Sequence, residues 1–295
     1  MVKNPLLLFF KGIAMGAADV VPGVSGGTIA FITGIYDELL GSIKKVGPEA
    51  LGVLFRQGFF AFWHFINGSF LLTLGCGIFL SLFTLAKLIS WLLVTHPIPV
   101  WSFFVGLVLV SVWHMLRQLP GLQITTFVSL VVGAGLAWWI SGMTPAHAAD
   151  PSLPVFFACG AVAVCAMILP GISGSFLLLL MGVYQPVLNA VSTLNFMVLG
   201  VLAAGCVIGL LIFSRVLSWL LIHVRSMTFA FLTGLMLGSV NKLWPWKQVD
   251  TDTMVNILPQ TYEQLTGESA QLAIAIPMAL LAIIIVLAVE RLAQR

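Results

Sequence analysis

Two short segments of this chain hold residue types that could bind an anion inside a membrane. Residues 21–28 read Val-Pro-Gly-Val-Ser-Gly-Gly-Thr, and residues 170–175 read Pro-Gly-Ile-Ser-Gly-Ser. In each, a proline ends one helix and glycines permit positive φ and close backbone approach. The helix that follows starts with unsatisfied N–H groups at the positive end of its dipole. Gly23, Ser25, Gly26, Gly27 and Thr28 make up the first such cup, with Ser25 and Thr28 adding hydroxyls; Gly171, Ser173, Gly174 and Ser175 make up the second. That chemistry suits a phosphate or carboxylate oxygen. Tight helix packing at a membrane bend is the other use of Gly and Ser in such a place.

The duplication extends beyond the motif. Each copy leads to Gly-hydrophobic-Tyr, Gly34-Ile35-Tyr36 and Gly182-Val183-Tyr184, so position 22 maps to 170 and position 36 to 184. Further along, Ser90-Trp91-Leu92-Leu93 recurs as Ser218-Trp219-Leu220-Leu221; Gly77 maps to Gly205, Lys87 to Arg215 and Gly106 to Gly234. The spacing is shorter there, so the first half carries an insertion within about 44–69. This insertion reads as an amphipathic interfacial segment.

These elements must be held in a bilayer. Of the 295 residues 60% are hydrophobic and 8% charged, and mean hydropathy is +1.10. A soluble domain carries about a quarter charged residues. Apolar runs at about 70–94, 99–116, 122–141, 196–222, 227–243 and 270–289 approach or exceed the roughly 20 residues of a crossing helix. The arms around each Pro-Gly are shorter, and broken backbone at membrane depth needs protein or a wet cavity around it. Re-entrant hairpins are the preferred reading over two short tilted spans. The first apolar segment lacks a signal-peptide cleavage pattern. Neither motif continues into a Walker A sequence, and no basic-aromatic pattern points to nucleic acid. Cys76, Cys159, Cys165 and Cys206 lack metal or CxxC spacing and read as small lipid- or core-facing residues.

The expected fold is therefore an all-α polytopic membrane protein with inverted repeats, each bearing a re-entrant hairpin. A first repeat covers 1–121 (hairpin about 8–43, interfacial segment 44–69, two spans), followed by a linking span and external loop at 122–154. A second repeat covers 155–243 (hairpin about 155–191, two spans), then an external loop at 244–269 and a last span at 270–295. With the N-terminus cytoplasmic, Lys3, Lys11, Lys44, Lys45, Arg56, Arg117, Arg225, Arg291 and Arg295 fall inside. Lys242 and Lys247 are the exceptions, beside Trp244 and Trp246 at an interface. An odd number of crossings between the motifs makes the repeats inverted, a pattern typical of secondary transporters.

Charges within the spans add to the reading. Lys87 and Arg215 are expected to face an anionic substrate, with snorkelling to the interface as the other reading. Asp19 would pair with one of them, or carry a coupling proton or Na⁺. Asp37 and Glu38 at the hairpin end read as solvated, or as coupling or gating groups. His114 and His223 fall at cytoplasmic helix ends.

The segments 16–28, Gly34-Ile35-Tyr36 and 170–175, with Phe103-Phe104-Val105-Gly106 and Phe231-Leu232-Thr233-Gly234, resemble a bacterial membrane family associated with polyprenyl-phosphate translocases. The resemblance implies a bacterial cytoplasmic (inner) membrane protein, and the positive-inside pattern puts its N- and C-termini in the cytoplasm. It would return undecaprenyl phosphate to the inner leaflet for envelope synthesis. Its partners would be the lipid and the bilayer; it would need no cofactor beyond H⁺ or Na⁺ coupling, and a homodimer is left open. Two other readings compete. A lipid-pyrophosphate phosphatase with a related Pro-Gly-x-Ser-Arg-Ser-Gly motif needs Arg where this chain has Gly26 and Gly174, and lacks its glutamates here. A carrier of a small soluble anion is the third.

Overall fold

The computed structural model describes residues 4–21, 24–119, 121, 123–143, 151–250 and 253–293. Pro22, Gly23, Asp150, Asp252, Lys3 and Arg295 lie outside them, so the expectations placed on those residues have no structural counterpart. The first half holds α1 (Pro5–Asp19), α2 (Gly26–Ile32), α3 (Tyr36–Lys45), α4 (Pro48–Gln57), α5 (Phe59–Phe65), α6 (Gly68–Thr95) and α7 (Pro97–Gln118). After α8 (Ile124–Ser141), the second half runs α9 (Leu153–Ile168), α10 (Gly174–Leu180), α11 (Tyr184–Ser192), α12 (Phe196–His223) and α13 (Arg225–Leu243). Strands β1 (Lys247–Asp250) and β2 (Thr253–Asn256) pair antiparallel, and α14 (Pro259–Thr266) and α15 (Leu272–Ala293) complete the chain. The β-hairpin is the one departure from an all-α fold among the described residues, and it occupies part of the expected loop at 244–269.

Local chemistry sets the helix starts. Asn4 accepts from the N–H groups of Leu6 and Leu7 to cap α1, with Pro5 at its first position. Ser25 caps α2, Ser173 caps α10 and Asn195 caps α12. The motif serines therefore begin the short helices that follow each break.

The two halves pack alike inside. Helix α1 lies along α6 and α9 along α12. A Cβ on Gly77 would overlap the Phe9 carbonyl oxygen, and one on Gly205 would overlap that of Phe157, the corresponding pair. Close approach over small residues is how apolar helices associate where lipid offers no hydrophobic drive. The two added helices also take matching places: Gly106 of α7 meets Ala279 of α15, and Gly234 of α13 meets Leu130 of α8. The thiols of Cys165 and Cys206 face the α9–α12 seam, toward the carbonyls of Gly209 and Gly160.

Four helices among the described residues, α6, α7, α8 and α12, are long and apolar enough to cross a membrane. Many large apolar side chains face outward on them, including Phe79 and Phe83 on α6, Val128 and Val132 on α8, and Ile208 and Ile212 on α12. A water-facing surface would not carry that belt, so the chain is a multi-pass membrane protein. The expected span at 227–243 behaves differently. Helix α13 carries Arg225, Thr228, Thr233, Ser239 and Lys242, and its Ala230, Leu232, Leu235 and Met236 are fully buried. It is a central helix with polar ends. Lys11 also departs from expectation. It is buried within α1, not among the loop cations, and its ammonium donates to the Thr33 carbonyl at the end of α2 over 2.7 Å. At the insertion, α4 and α5 leave Phe55, Phe59 and Phe60 exposed.

Candidate functional site

Helix α2 turns back along α1. Asp19 faces Gly26 at the tip, and Lys11 faces Thr33 near the base. The second half repeats the short return with α10, after which the chain bends by 106° into α11. Gly171 adopts φ +87° at that break, a conformation that L side chains avoid, and a Cβ there would lie 2.8 Å from Met236 Cα. The second break is thereby seated directly on α13.

The tips of the two hairpins meet. Ser25 donates its hydroxyl to the Met167 carbonyl over 2.8 Å, and Tyr36 donates to the Ile168 carbonyl over 3.0 Å. Thr28 Oγ1 accepts the Gly171 N–H over 3.1 Å. Met167 and Ile168 lie in the last turn of α9, whose carbonyls lose their helical partners at the break. Away from water such groups must be paired, and here the other half of the chain pairs them. Ser25, Thr28 and Tyr36 are all buried.

This changes the reading of the first cup. Gly26 N–H donates to Asp19 Oδ1 over 2.6 Å, Gly27 N–H to Ser25 Oγ over 3.1 Å, and Thr28 N–H to the Ser25 carbonyl. A Cβ on Gly26 would sit 2.7 Å from Asp19 Oδ2, so a larger residue there would have to displace the carboxyl from the Gly26 amide. The first turn of α2 thus already holds a carboxyl group, that of the chain's own Asp19. The hydroxyls of Ser25 and Thr28 serve the hairpin junction, and both residues are buried there.

The second motif is more open. Ser173 and Ser175 hydroxyls lie 2.9 Å apart, with Ser175 exposed. Gly171, Ser173, Phe176, Ser141 and Lys242 line a cleft of about 10 Å³, room for about one water. The Lys242 ammonium stands 4.4 Å from the Phe176 ring centre, a cation–π contact. Beyond it Lys247 donates to the Lys242 carbonyl and faces the Trp101 ring at 5.3 Å, tying the β-hairpin to α13 and α7. Burial, followed by the Lys242 charge, pulls the Lys247 pKa down to about 8.

The repeat-related cations are not brought to either motif. Lys87 is exposed on α6. Arg215 donates to the Leu211 carbonyl on its own helix over 2.8 Å, and its guanidinium packs against Gly47. Asp19, expected to pair with one of them, is held instead by the Gly26 amide. The acidic pair divides its contacts: Asp37 bonds Arg225 at 3.2 Å, whereas Glu38 Oε1 accepts from Asn67 Nδ2 at 3.1 Å. His223 stacks on Trp219, and His114 contacts Gln118 at 2.6 Å. Lys242, set aside as interfacial in the sequence, is the cation beside the second motif. Extending the Gly106-to-Gly234 register by two helical turns maps it to His114, a correspondence available from the sequence.

Comparison with known proteins places this geometry in context. The family described as VCA0040-like, undecaprenyl phosphate translocase-like, matches residues 15–258. A Vibrio cholerae protein named polyprenyl-phosphate transporter is 52% identical over 303 residues, covering 99% of this chain and 98% of that one. A Staphylococcus aureus protein of the same name is 37% identical over 252 residues, covering 80% and 84%. No solved structure matches.

Proposed function

The chain belongs to the undecaprenyl phosphate translocase-like family, and from that premise we propose that it carries a polyprenyl phosphate across the membrane, from the outer to the cytoplasmic leaflet. The observation that carries the mechanism is the meeting of two broken hairpins at a buried polar junction with a cation, Lys242, beside it. Moving a phosphate head through a bilayer is costly because the charge must leave water. Protein donors substitute for that hydration, while the apolar tail stays in lipid.

In this reading the head first engages Ser173, Ser175, Gly171 and Gly174 with Lys242. The elements Ser25, Gly26, Gly27 and Thr28 form the opposing wall. The matching internal packing of the halves supports inverted repeats that rock about the junction, one hairpin facing each side. Asp19 is the coupling group: its carboxylate holds the Gly26 amide, and binding of H⁺ or Na⁺ would loosen that contact. Lys87 and Arg215 would act from the periphery, on the membrane surface charge and not on the bound head. The protein sits in the inner membrane with both termini cytoplasmic.

Reconstitution tests this directly. Liposomes containing the purified chain should move a labelled short-chain polyprenyl phosphate between leaflets, with no release of inorganic phosphate. Rapid movement of soluble phosphate with none of lipid phosphate would transfer the reading to a small-anion carrier. Phosphate release from a lipid pyrophosphate would transfer it to a phosphatase.

A further inference from the structure

We propose that Arg225 is a second phosphate-binding station, at the opposite end of α13 from Lys242, and that Asp37 is the internal anion which the lipid phosphate displaces there. The proposal rests on the transport reading above. Arg225 opens α13 and Asp37 lies in the first turn of α3, so their 3.2 Å contact joins the two halves of the chain. The side chains are 62% and 55% exposed, so water and an arriving anion reach both.

The pair is a shared wall between two cavities. On one side Phe31, Tyr36, His114, Gln118 and Phe229 enclose about 210 Å³ with it. On the other, Leu40, Lys44, Ser218 and Leu221 enclose about 300 Å³. Each cavity combines polar groups with apolar walls, as a phosphomonoester head and its first isoprene units require. Arg225 brings a planar fork of donors, suited to bidentate contact with phosphate oxygens. A phosphate of about −1.5 to −2 charge outcompetes a single carboxylate for that fork. An exposed ion pair is weak enough to exchange.

Exchange at Arg225 reaches the hairpin junction. Its guanidinium lies over Phe229 at 4.9 Å, Phe229 packs on Phe31, and Phe31 packs on Tyr36, each pair at 4.9 Å. Tyr36 is the residue before Asp37, and its hydroxyl holds the Ile168 carbonyl at the second break. Release of Asp37 therefore bears on a residue that fastens the two hairpins together.

The test measures binding to the full chain in lipid nanodiscs. The probes are a short-chain polyprenyl phosphate, inorganic phosphate and the matching neutral polyprenol. Asp37→Asn removes the internal competitor and should tighten the lipid phosphate Kd by about threefold. Arg225→Gln should weaken it by about tenfold or more, with Arg225→Lys between, and the double variant should match Arg225→Gln. A gain in Asp37→Asn cannot arise from misfolding. If both single variants weaken binding alike, or neither changes it, the pair is structural and the station is refuted. If inorganic phosphate follows the same pattern with equal affinity, the anion site stands but the lipid as its occupant is overturned. If the binding pattern holds while wild-type protein moves no lipid phosphate between leaflets, the transport reading fails and the station survives.

Discussion

Gly171 donates its backbone N–H to Thr28 Oγ1 over 3.1 Å, so the break in one hairpin is closed by a hydroxyl of the other. Both partners are buried. Thr28→Val keeps the shape and removes the acceptor, leaving a buried amide unpaired at a cost of about 1–3 kcal/mol. Detergent-solubilised Thr28→Val should melt earlier than wild type and transport more slowly, and Thr28→Ser should restore both. Unchanged melting in Thr28→Val would mean that the junction opens freely.

Asp19→Asn retains an acceptor for the Gly26 amide, so insertion and stability should change by no more than about 1 kcal/mol. Without a titratable carboxylate, gradient-driven accumulation of lipid phosphate should be lost while exchange at zero gradient persists. Full response to pH and Na⁺ gradients in this variant would remove Asp19 from coupling.

Lys242→Met and Lys87→Met separate a cation at the motif from one on the outer surface. Removing a charge that contacts phosphate forfeits about 1.5–3 kcal/mol, or roughly tenfold to a hundredfold in affinity. Lys242→Met should show that loss in the transport KM, Lys87→Met less than about threefold. The reverse order would return the binding role to the repeat-related cation; Arg215→Met gives the matching measurement in the second half.

Lys247 gives the β-hairpin a pH response. Its folded pKa of about 8 lies below the ordinary lysine value of 10.5, because burial and then Lys242 disfavour the charge. Between those values the unfolded chain keeps a proton that the folded one has released, so stability rises with pH across the window. Below about pH 8 the penalty is present in full. The thermal midpoint of wild type should therefore rise from pH 8 to 10 relative to Lys247→Gln. A flat difference between the two proteins would show that Lys247 is not desolvated.

Reporters fused after residues 150 and 225 should report opposite faces of the membrane, since one crossing helix, α12, together with a hairpin that returns to its own side, separates them. The same face for both would remove the inversion of the repeats.

Much of this was legible in residue types. Pro-Gly within apolar sequence announces a broken helix, because proline lacks an N–H and glycine tolerates the turn; α1 ends at Asp19 before α2 starts at Gly26, and α9 ends at Ile168 before α10 starts at Gly174. The duplicated spacing foretold helices of matching order, and even the contact of Gly77 with Phe9 recurs as Gly205 with Phe157. The charged site was less legible. Lys87 and Arg215 are related by the repeat, yet relation by sequence does not set which way a helix face points. Lys11, counted with the loop cations, is buried because α2 folds back over it and supplies the Thr33 carbonyl.

Composition and hydropathy by themselves determined that this chain lives in a bilayer, since few charges and long apolar helices leave no other solvent for its surface. The motif order by itself determined two breaks, each followed by a helix; the structure made Ser25 and Ser173 the caps of those helices. Only the tertiary structure decided what the motif groups do. An N–H or hydroxyl has no partner written in its sequence position, and packing assigned Gly26 to Asp19, Ser25 to Met167 and Thr28 to Gly171. It also decided the cations. Helix α13 crosses the protein from Arg225 to Lys242, and its seat against Gly171 sets Lys242 beside Ser173, whereas Lys87 faces outward. Hydropathy is a sum over neighbours along the chain; the choice of partner is a matter of which faces meet.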